Sequence, residues 1–180
     1  MNYTEIFNAL HPGFFNEKYI SSLPPECEYT ELVTDLREPP SGVQPVTFPP
    51  DITFGVYHGE ITDLREAVRE VDEGWLPYFT PNERFFCAYD GEKPVAFCIL
   101  TDSGNIMGLH IGQPGCVGTI PAYRKKGIGA ELILRATGLL RRENFDLSWI
   151  HYTHLESWYQ KLGYRTVLRW NCTGILSGRQ

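Results

Sequence analysis

The sequence predicts a mixed α/β fold, in which helices cover both faces of a mixed sheet. From residue 52 onwards, apolar segments of strand length and amphipathic segments of helix length follow one another in the order β-α-β-β-β-α-β-α-β. The pair Asp90-Gly91 between two apolar segments is typical of a hairpin, which makes those two strands antiparallel. A length of 180 residues and a hydrophobic content of 42% suit one domain with a sizeable core.

Local patterns predict the elements from the first strand to the hairpin. Residues 52–57 alternate as a strand does, and Thr62 is a typical N-cap for a helix that ends at Gly74. The aromatic loop that follows suits either a plug in the core or the wall of a ligand pocket. Residues 84–89 and 95–101 form the two strands of the hairpin.

The remaining elements surround a long helix. A turn-rich link that begins at 102–105 leads to a strand over residues 112–120, and a helix with one broad apolar face covers about 128–142. A strand over 146–152 is followed by Thr153–Glu156, which has the pattern of a capping box and starts a short helix. A last strand covers residues 165–172.

Residues 1–50 form a separate N-terminal extension in this interpretation, and residues 51–180 form the domain. Pairs of prolines such as Pro24-Pro25 interrupt the extension, and its short apolar segments predict one or two short helices packed on the domain. Its aromatic residues argue against a disordered tail. The extension could cover the sheet, line a substrate site or mediate a homodimer, and the sequence does not choose among these roles.

Several absences predict a cytoplasmic protein that does not contact membranes. The N-terminus lacks the basic and apolar regions of a signal peptide, and no apolar run approaches the roughly 20 residues that a membrane span requires. The five cysteines are an odd number without C-x-x-C spacing, so we expect them to be reduced.

The net charge of −6 is distributed unevenly along the chain. Residues 1–75 contain fourteen acidic and four basic residues, whereas residues 76–180 contain eight acidic and twelve basic residues. The acidic half argues against a nucleic-acid partner and is compatible with a cationic substrate.

A loop between the strand over 112–120 and the long helix has the composition of an anion site. Pro121 ends the strand, and Arg124, Lys125 and Lys126 supply three positive charges. The first N–H groups of a helix have no partner inside it, and the helix dipole adds partial positive charge there. These features predict a site for a polyanion such as a diphosphate.

The spacing of the glycines narrows the choice of diphosphate. The chain contains no Gly-Lys pair, which a P-loop requires, and Leu132 occupies the position of the third glycine of a dinucleotide fingerprint. The pattern present is R-x-x-G-x-G, from Arg124 to Gly129. It resembles the acetyl-CoA signature of the GNAT N-acetyltransferase superfamily. Residues 158–164, Trp-Tyr-Gln-Lys-Leu-Gly-Tyr, resemble a second marker of that family, and the resemblance covers roughly residues 52 to 171.

The resemblance implies a mostly antiparallel sheet and the transfer of an acetyl group from acetyl-CoA to a primary amine of a small molecule or peptide. By position, the backbone of Val117 and Thr119 would contact the pantetheine arm. No resident metal is expected. The loop residues that would hold the diphosphate are Arg124, Lys125, Lys126, Gly127, Ile128, Gly129 and Ala130.

Acyl transfer also needs groups that move protons. Tyr159 matches the tyrosine that acts as general acid in the family, although it lies on a helix face that also carries core residues. No acidic residue lies between Gly104 and Ala130, so the family resemblance identifies no base. A water relay is as probable as any single side chain, and the candidates among side chains are His110, Asp102, Glu73 and His151.

Two further features of the sequence concern the binding of the cofactor and of a metal. The asparagine that often precedes the last helix in the family is replaced by Tyr152-Thr153, which leaves that cofactor contact unassigned. His151 and His154 form a pair without an evident third ligand, which does not indicate a metal site. A non-catalytic acyl-CoA-binding protein with the same fold is the alternative to an enzyme.

Overall fold

A computed structural model describes residues 1–178 and confirms the mixed α/β fold. Eight strands form a mostly antiparallel sheet in the order β2-β3-β4-β5-β6-β1-β7-β8. The strands are β1 (Tyr29–Asp35), β2 (Ile52–Val56), β3 (Phe85–Asp90), β4 (Lys93–Ile106), β5 (Leu109–Thr119), β6 (Leu147–Thr153), β7 (Arg165–Asn171) and β8 (Gly174–Gly178).

Residues 1–178 contain five α-helices besides these strands. They are α1 (Tyr3–Leu10), α2 (Lys18–Ser21), α3 (Ile61–Val71), α4 (Ile128–Arg142) and α5 (Glu156–Gln160), and 3₁₀ turns cover Phe14–Asn16, Glu73–Tyr78 and Pro121–Tyr123. Within residues 1–178, no helix is both long and apolar enough to span a bilayer.

Two strands of the structure were not predicted from the sequence. β1 lies between β6 and β7 and is antiparallel to both, so part of the N-terminal extension belongs to the sheet. β8 pairs with the end of β7. The short helices predicted for the extension are present as α1 and α2. The division into an extension of residues 1–50 and a domain of residues 51–180 stays a prediction.

Three predicted boundaries are wrong. Residues 102–105 belong to β4, and the turn lies instead at Met107-Gly108, where both residues have positive φ angles of 53° and 82°. Helix α3 begins one residue before Thr62. The predicted capping box does not form, because the Thr153 hydroxyl accepts from the Leu155 N–H at 3.0 Å while Glu156, at the first position of α5, binds Arg169.

The chain divides into two compact units, which are described separately. The first unit contains residues 1–44, 103–112 and 144 onwards. In it, α1 and the turn after it pack on β1, β6 and β7 around two fully buried tryptophans. The apolar residues at the centre of this core include Ile6, Phe7, Phe14, Val33, Ile111, Leu147, Trp149, Leu168 and Trp170.

The second unit contains residues 45–102 and 113–143. Its strands β2, β3 and β4 are antiparallel neighbours. Helix α3 lies close to β5, since a Cβ placed on Gly118 would come within 3.2 Å of the Val71 side chain. The bidentate ion pair between Arg84 and Glu143, at 2.6 Å and 2.7 Å, ties the start of β3 to the end of α4.

Candidate functional site

The predicted anion loop opens into α4 as the sequence indicates. After β5, one 3₁₀ turn leads to Gly127, which is the N-cap of α4. No side chain caps the helix, and the first N–H to bond back into the helix is that of Glu131, to the Gly127 carbonyl at 3.0 Å. The N–H groups of Ile128, Gly129 and Ala130 therefore have no acceptor inside α4.

Gly127 is required by geometry in two ways. Its φ of 77° and ψ of −9° lie in the left-handed region, where side chains are strained. A Cβ placed on it would lie 2.1 Å from the carbonyl oxygen of Thr47, which is far inside van der Waals contact. The glycine thus lets the segment before β2 cross directly over the start of α4.

The three cations of the loop are exposed and differ in how they are held. The Arg124 Nε donates to the carbonyl of Thr119 at 2.9 Å, so the side chain folds back along the end of β5. The Lys126 ammonium lies 5.0 Å from the ring centroid of Tyr123, a cation–π distance. Lys125 has a φ of 61°, an uncommon angle for a residue with a side chain.

This arrangement fits a diphosphate. Unpaired N–H groups, the positive end of a fifteen-residue helix and three exposed cations lie within seven consecutive residues. Val117 and Thr119, the predicted pantetheine contacts, are the half-buried residues that end β5 just before the loop. Their neighbour Cys116 has a φ of 46°, which marks an irregularity in this strand.

A cavity of about 540 Å³ in the second unit has a different character. Its walls carry more carboxylates than ammonium groups, and two of its rings, those of Tyr57 and Tyr89, are parallel within 5° at 6.5 Å. The negative charge makes this cavity unsuitable for a diphosphate. The charged residues that line it are Asp63, Glu66, Glu70, Glu92 and Lys93.

Tyr159, the predicted general acid, lies in the first unit. It is 4% exposed and packs against the rings of Trp158 and Tyr164, at centroid distances of 4.7 Å and 5.8 Å. The Tyr164 hydroxyl is hydrogen-bonded to the Ser148 hydroxyl of β6 at 2.7 Å. The helix face that carries Tyr159 is therefore buried against Tyr164, as the sequence indicates for a core-facing residue.

A buried carboxylate that was not predicted lies in the same unit. Glu31, on β1, is 0% exposed and accepts from the indole N–H groups of Trp149 at 2.6 Å and Trp170 at 2.8 Å. The backbone N–H of Tyr152 donates to it at 3.0 Å, and the His151 Nδ1 lies 3.0 Å from both of its oxygens. Because a carboxylate with three N–H partners is an acceptor, we assign the proton of this last bond to the Nδ1.

His11, which follows α1, completes this cluster. Its ring stacks on that of His151 at 3.8 Å, with 17° between the planes, and its Nε2 is buried without a hydrogen-bond partner. Burial, with a smaller effect of His151, lowers the pKa of His11 from 6.5 to about 4, against an opposing effect of Glu31. His11 is therefore neutral at physiological pH.

The geometry of this cluster does not suit a metal ion. His11, Glu31 and His151 offer ligand atoms within 4.8 Å of one another. A metal lies near the plane of each imidazole that binds it, because the nitrogen lone pair lies in that plane. Two nearly parallel planes 3.8 Å apart do not meet at such a point. His154, the other histidine of the predicted pair, is exposed.

The four residues considered as bases have different surroundings in the structure. The His110 ring stacks on Phe145 at 3.8 Å, and Asp102 and Glu73 are exposed. His151 differs from these in being bonded to a fully buried carboxylate.

The sequence was compared with models of protein families and with curated proteins. Residues 81–166 match the model of the family described as "Acetyltransferase (GNAT) domain", which confirms the resemblance identified from the two motifs. No curated protein matches the sequence.

Solved structures with the same fold are distant in sequence. A GCN5-related glucosamine N-acetyltransferase region of a fungal multi-domain GH3 β-N-acetylglucosaminidase has a TM-score of 0.65 and 17% identity over 81% of this chain. A GCN5-related N-acetyltransferase from Sphaerobacter thermophilus has a TM-score of 0.62 and 18% identity over 82%. A putative GNAT acetyltransferase from Novosphingobium aromaticivorans has a TM-score of 0.54 and 17% identity over 80%. The alignments cover 20%, 51% and 62% of those three chains, respectively.

The conformation of Gly127 generates a prediction about the loop. Gly127→Ala should destabilise the protein by at least about 1–2 kcal/mol, because alanine is strained at this φ and meets the Thr47 carbonyl. Gly138→Ala, inside α4, is the matched control: its Cβ would have an ordinary contact of 3.6 Å with Arg142 and should stabilise the helix by roughly 0.5–1 kcal/mol. Urea denaturation measures both changes. Equal stabilities of the two variants would contradict the left-handed conformation and the close contact assigned to Gly127.

The lowered pKa of His11 generates a prediction about pH. The folded protein holds His11 neutral, so stability is full above the ordinary pKa of 6.5 and is lost as the pH falls from 6.5 towards about 4. His11→Phe retains a stacking ring and removes the titration, so its melting temperature should fall less over this range. The exposed histidine variant His154→Phe should follow the wild type. Parallel curves for wild type and His11→Phe would show that His11 does not carry this dependence.

Proposed function

We propose that this chain, which carries a GNAT acetyltransferase domain over residues 81–166, transfers an acetyl group from acetyl-CoA to a primary amine of a small molecule or peptide. The observation that carries the proposal is the start of α4, where unpaired N–H groups and three cations lie directly after β5. This is one of the two motifs on which the resemblance rests, and its backbone geometry suits a diphosphate.

The residues from Arg124 to Ala130 would hold the diphosphate of the co-substrate. The N–H groups of the first turn of α4 would donate to phosphate oxygens, and the exposed side chains of Lys125 and Lys126 would neutralise their charge. Val117 and Thr119 would offer backbone groups to the pantetheine arm, in the manner of strand addition.

The chemistry requires one proton to leave the amine and one to reach the thiol. An alkylamine with a pKa of about 10.4 is only about a thousandth unprotonated near pH 7.4, so a proton acceptor is needed. Tyr159 would donate to the departing sulfur, because a phenol with a pKa of about 10 keeps its proton at neutral pH. The match of Tyr159 to the second family motif supports this role.

The alternative is a protein that binds acyl-CoA without catalysis. Both functions predict binding through the loop, whereas only the enzyme releases CoA thiol in the presence of an amine. We also expect a cytoplasmic location and an acceptor other than nucleic acid.

An acceptor panel tests the proposed function. Acetyl-CoA should raise the melting temperature, since it binds the folded state, and thiol release should depend on an added amine. Gly129→Asp should lose both effects, because it places a negative side chain beside the diphosphate. Gly138→Ala, in the same helix, should retain both. Binding without turnover across monoamines, polyamines, amino sugars and peptides would support the non-catalytic alternative, and normal binding by Gly129→Asp would contradict the loop assignment.

Tyr159→Phe tests the proton donor. The variant keeps the ring that packs on Trp158 and Tyr164 and removes one hydroxyl. If Tyr159 protonates the departing sulfur, turnover should fall by roughly two to four powers of ten while acetyl-CoA affinity stays nearly constant. A core role predicts instead a lower melting temperature with near-normal turnover. Turnover and melting temperature measured on one preparation distinguish these outcomes.

A further inference from the structure

We infer that Arg135 of α4 positions the groups that bind the diphosphate of acetyl-CoA. It holds residues 45–50, which we call the crossing segment, against the start of the helix, and it neutralises Glu131. The inference rests on the proposed acetyltransferase function and names residues outside both family motifs on which that binding depends. The crossing segment, β2 and α4 belong to the same compact unit.

The crossing segment contacts the loop at the residue that begins α4. A Cβ placed on Gly127 would lie 2.1 Å from the Thr47 carbonyl oxygen and 3.2 Å from a methyl group of Val46. The segment thus covers the side of Gly127 from which a side chain would project. The N–H groups of residues 128–130 follow directly and are the ones proposed to bind the diphosphate. A segment that restrains Gly127 therefore also restrains the direction of these N–H groups.

Two aromatic rings and one guanidinium hold the crossing segment in place. The Phe48 ring packs edge-on against the Phe54 ring of β2, at a centroid distance of 5.3 Å. The Arg135 guanidinium lies 4.7 Å from the centroid of Phe54 and 5.8 Å from that of Phe48, both cation–π distances. Arg135 therefore connects α4 to the residue that follows Thr47, whose carbonyl contacts Gly127.

Arg135 also neutralises a carboxylate close to the proposed diphosphate. Glu131 is the single acidic residue between Pro121 and Arg135, and it lies in the first turn of α4. Its Oε1 accepts from the Arg135 Nε at 2.7 Å, and its side chain is only 16% exposed, so water screens its charge weakly. A carboxylate in the first turn stabilises a helix, but it repels a phosphate bound at the same place. The ion pair offsets this repulsion.

Arg135 acts through other residues and is not itself a phosphate ligand. It lies eight residues after Gly127, which is about 12 Å along the helix axis. Its effects reach the diphosphate through Phe48 and Glu131. The acetyl group is at the other end of the co-substrate, beyond the pantetheine arm. Loss of Arg135 should therefore weaken binding and leave the chemical step unchanged.

Calorimetric titration with CoA tests the inference on wild type and three single variants. Arg135→Gln should raise the Kd roughly three- to tenfold, because it loses the ring contacts and leaves the charge of Glu131 uncompensated. Phe48→Ala should raise the Kd by a smaller factor, since the ion pair remains. The control Arg142→Gln removes the same charge from the other end of α4 and should bind CoA as the wild type does.

A double variant and a kinetic measurement distinguish positioning from a structural role. Adding Glu131→Gln to Arg135→Gln should restore part of the lost affinity, because it removes the uncompensated charge. In thiol-release assays, Arg135→Gln should raise the KM for acetyl-CoA while kcat stays nearly constant. A purely structural role predicts a lower melting temperature with an unchanged Kd in the folded protein, so melting temperatures are measured on the same samples.

The outcomes that overturn the inference are distinguishable from a failure of the proposed function. Wild-type affinity in Arg135→Gln overturns it and leaves CoA binding by the loop intact. Wild-type affinity in Phe48→Ala overturns it even where Arg135→Gln does not fold, and a double variant no better than Arg135→Gln overturns the role given to Glu131. A wild type that binds no CoA overturns the proposed function and the inference together. Binding without turnover on any amine overturns acetyl transfer alone, because the Kd comparison needs no reaction.

Discussion

The first unit depends on the satisfaction of one buried carboxylate. Glu31 has no exposure to water, so its cost of burial must be offset by hydrogen bonds. Those bonds come from Trp149, Tyr152 and His151 on β6 and from Trp170 on β7, the two strands between which β1 lies. A shift of β1 by one residue would turn Glu31 to the opposite face and leave two buried indole N–H groups without an acceptor. The carboxylate thus specifies the register of β1.

The same carboxylate also fixes the ring of His151. The bond that satisfies Glu31 also orients His151, and the ring of His11 packs on the result. A substitution at Glu31 would therefore lower stability, because the remaining N–H groups would still be buried. Replacement of His151 should cost less stability, since it is partly exposed and three donors remain on the carboxylate.

The sequence predicts the position of the loop before α4 but not the buried cluster, for one physical reason. The loop depends on contiguous residues: a strand end, cations, a glycine and a helix start occur within ten positions, so local rules apply. Glu31 is instead bonded to residues that are 118 to 139 positions away, and nothing near it in the sequence shows these partners. β1 was not predicted for the same reason, because its partner strands are equally distant along the chain. The errors at Thr62 and Thr153 have another cause, because residues that can cap a helix can also bond within a turn.

The charge of the acceptor has to be judged from local surroundings rather than from the halves of the chain. Each unit combines distant segments: the first contains nine acidic and six basic residues and the second contains thirteen and ten, a net charge of −3 for each. The contrast between the acidic and basic halves of the sequence is therefore lost on folding. At physiological salt the screening length is about 8 Å, so a bound group senses only the charges close to it. The second unit shows this, since it contains both the cationic loop at α4 and a cavity whose charged residues are mainly carboxylates. An overall excess of acidic residues thus does not exclude a local site that binds a diphosphate strongly.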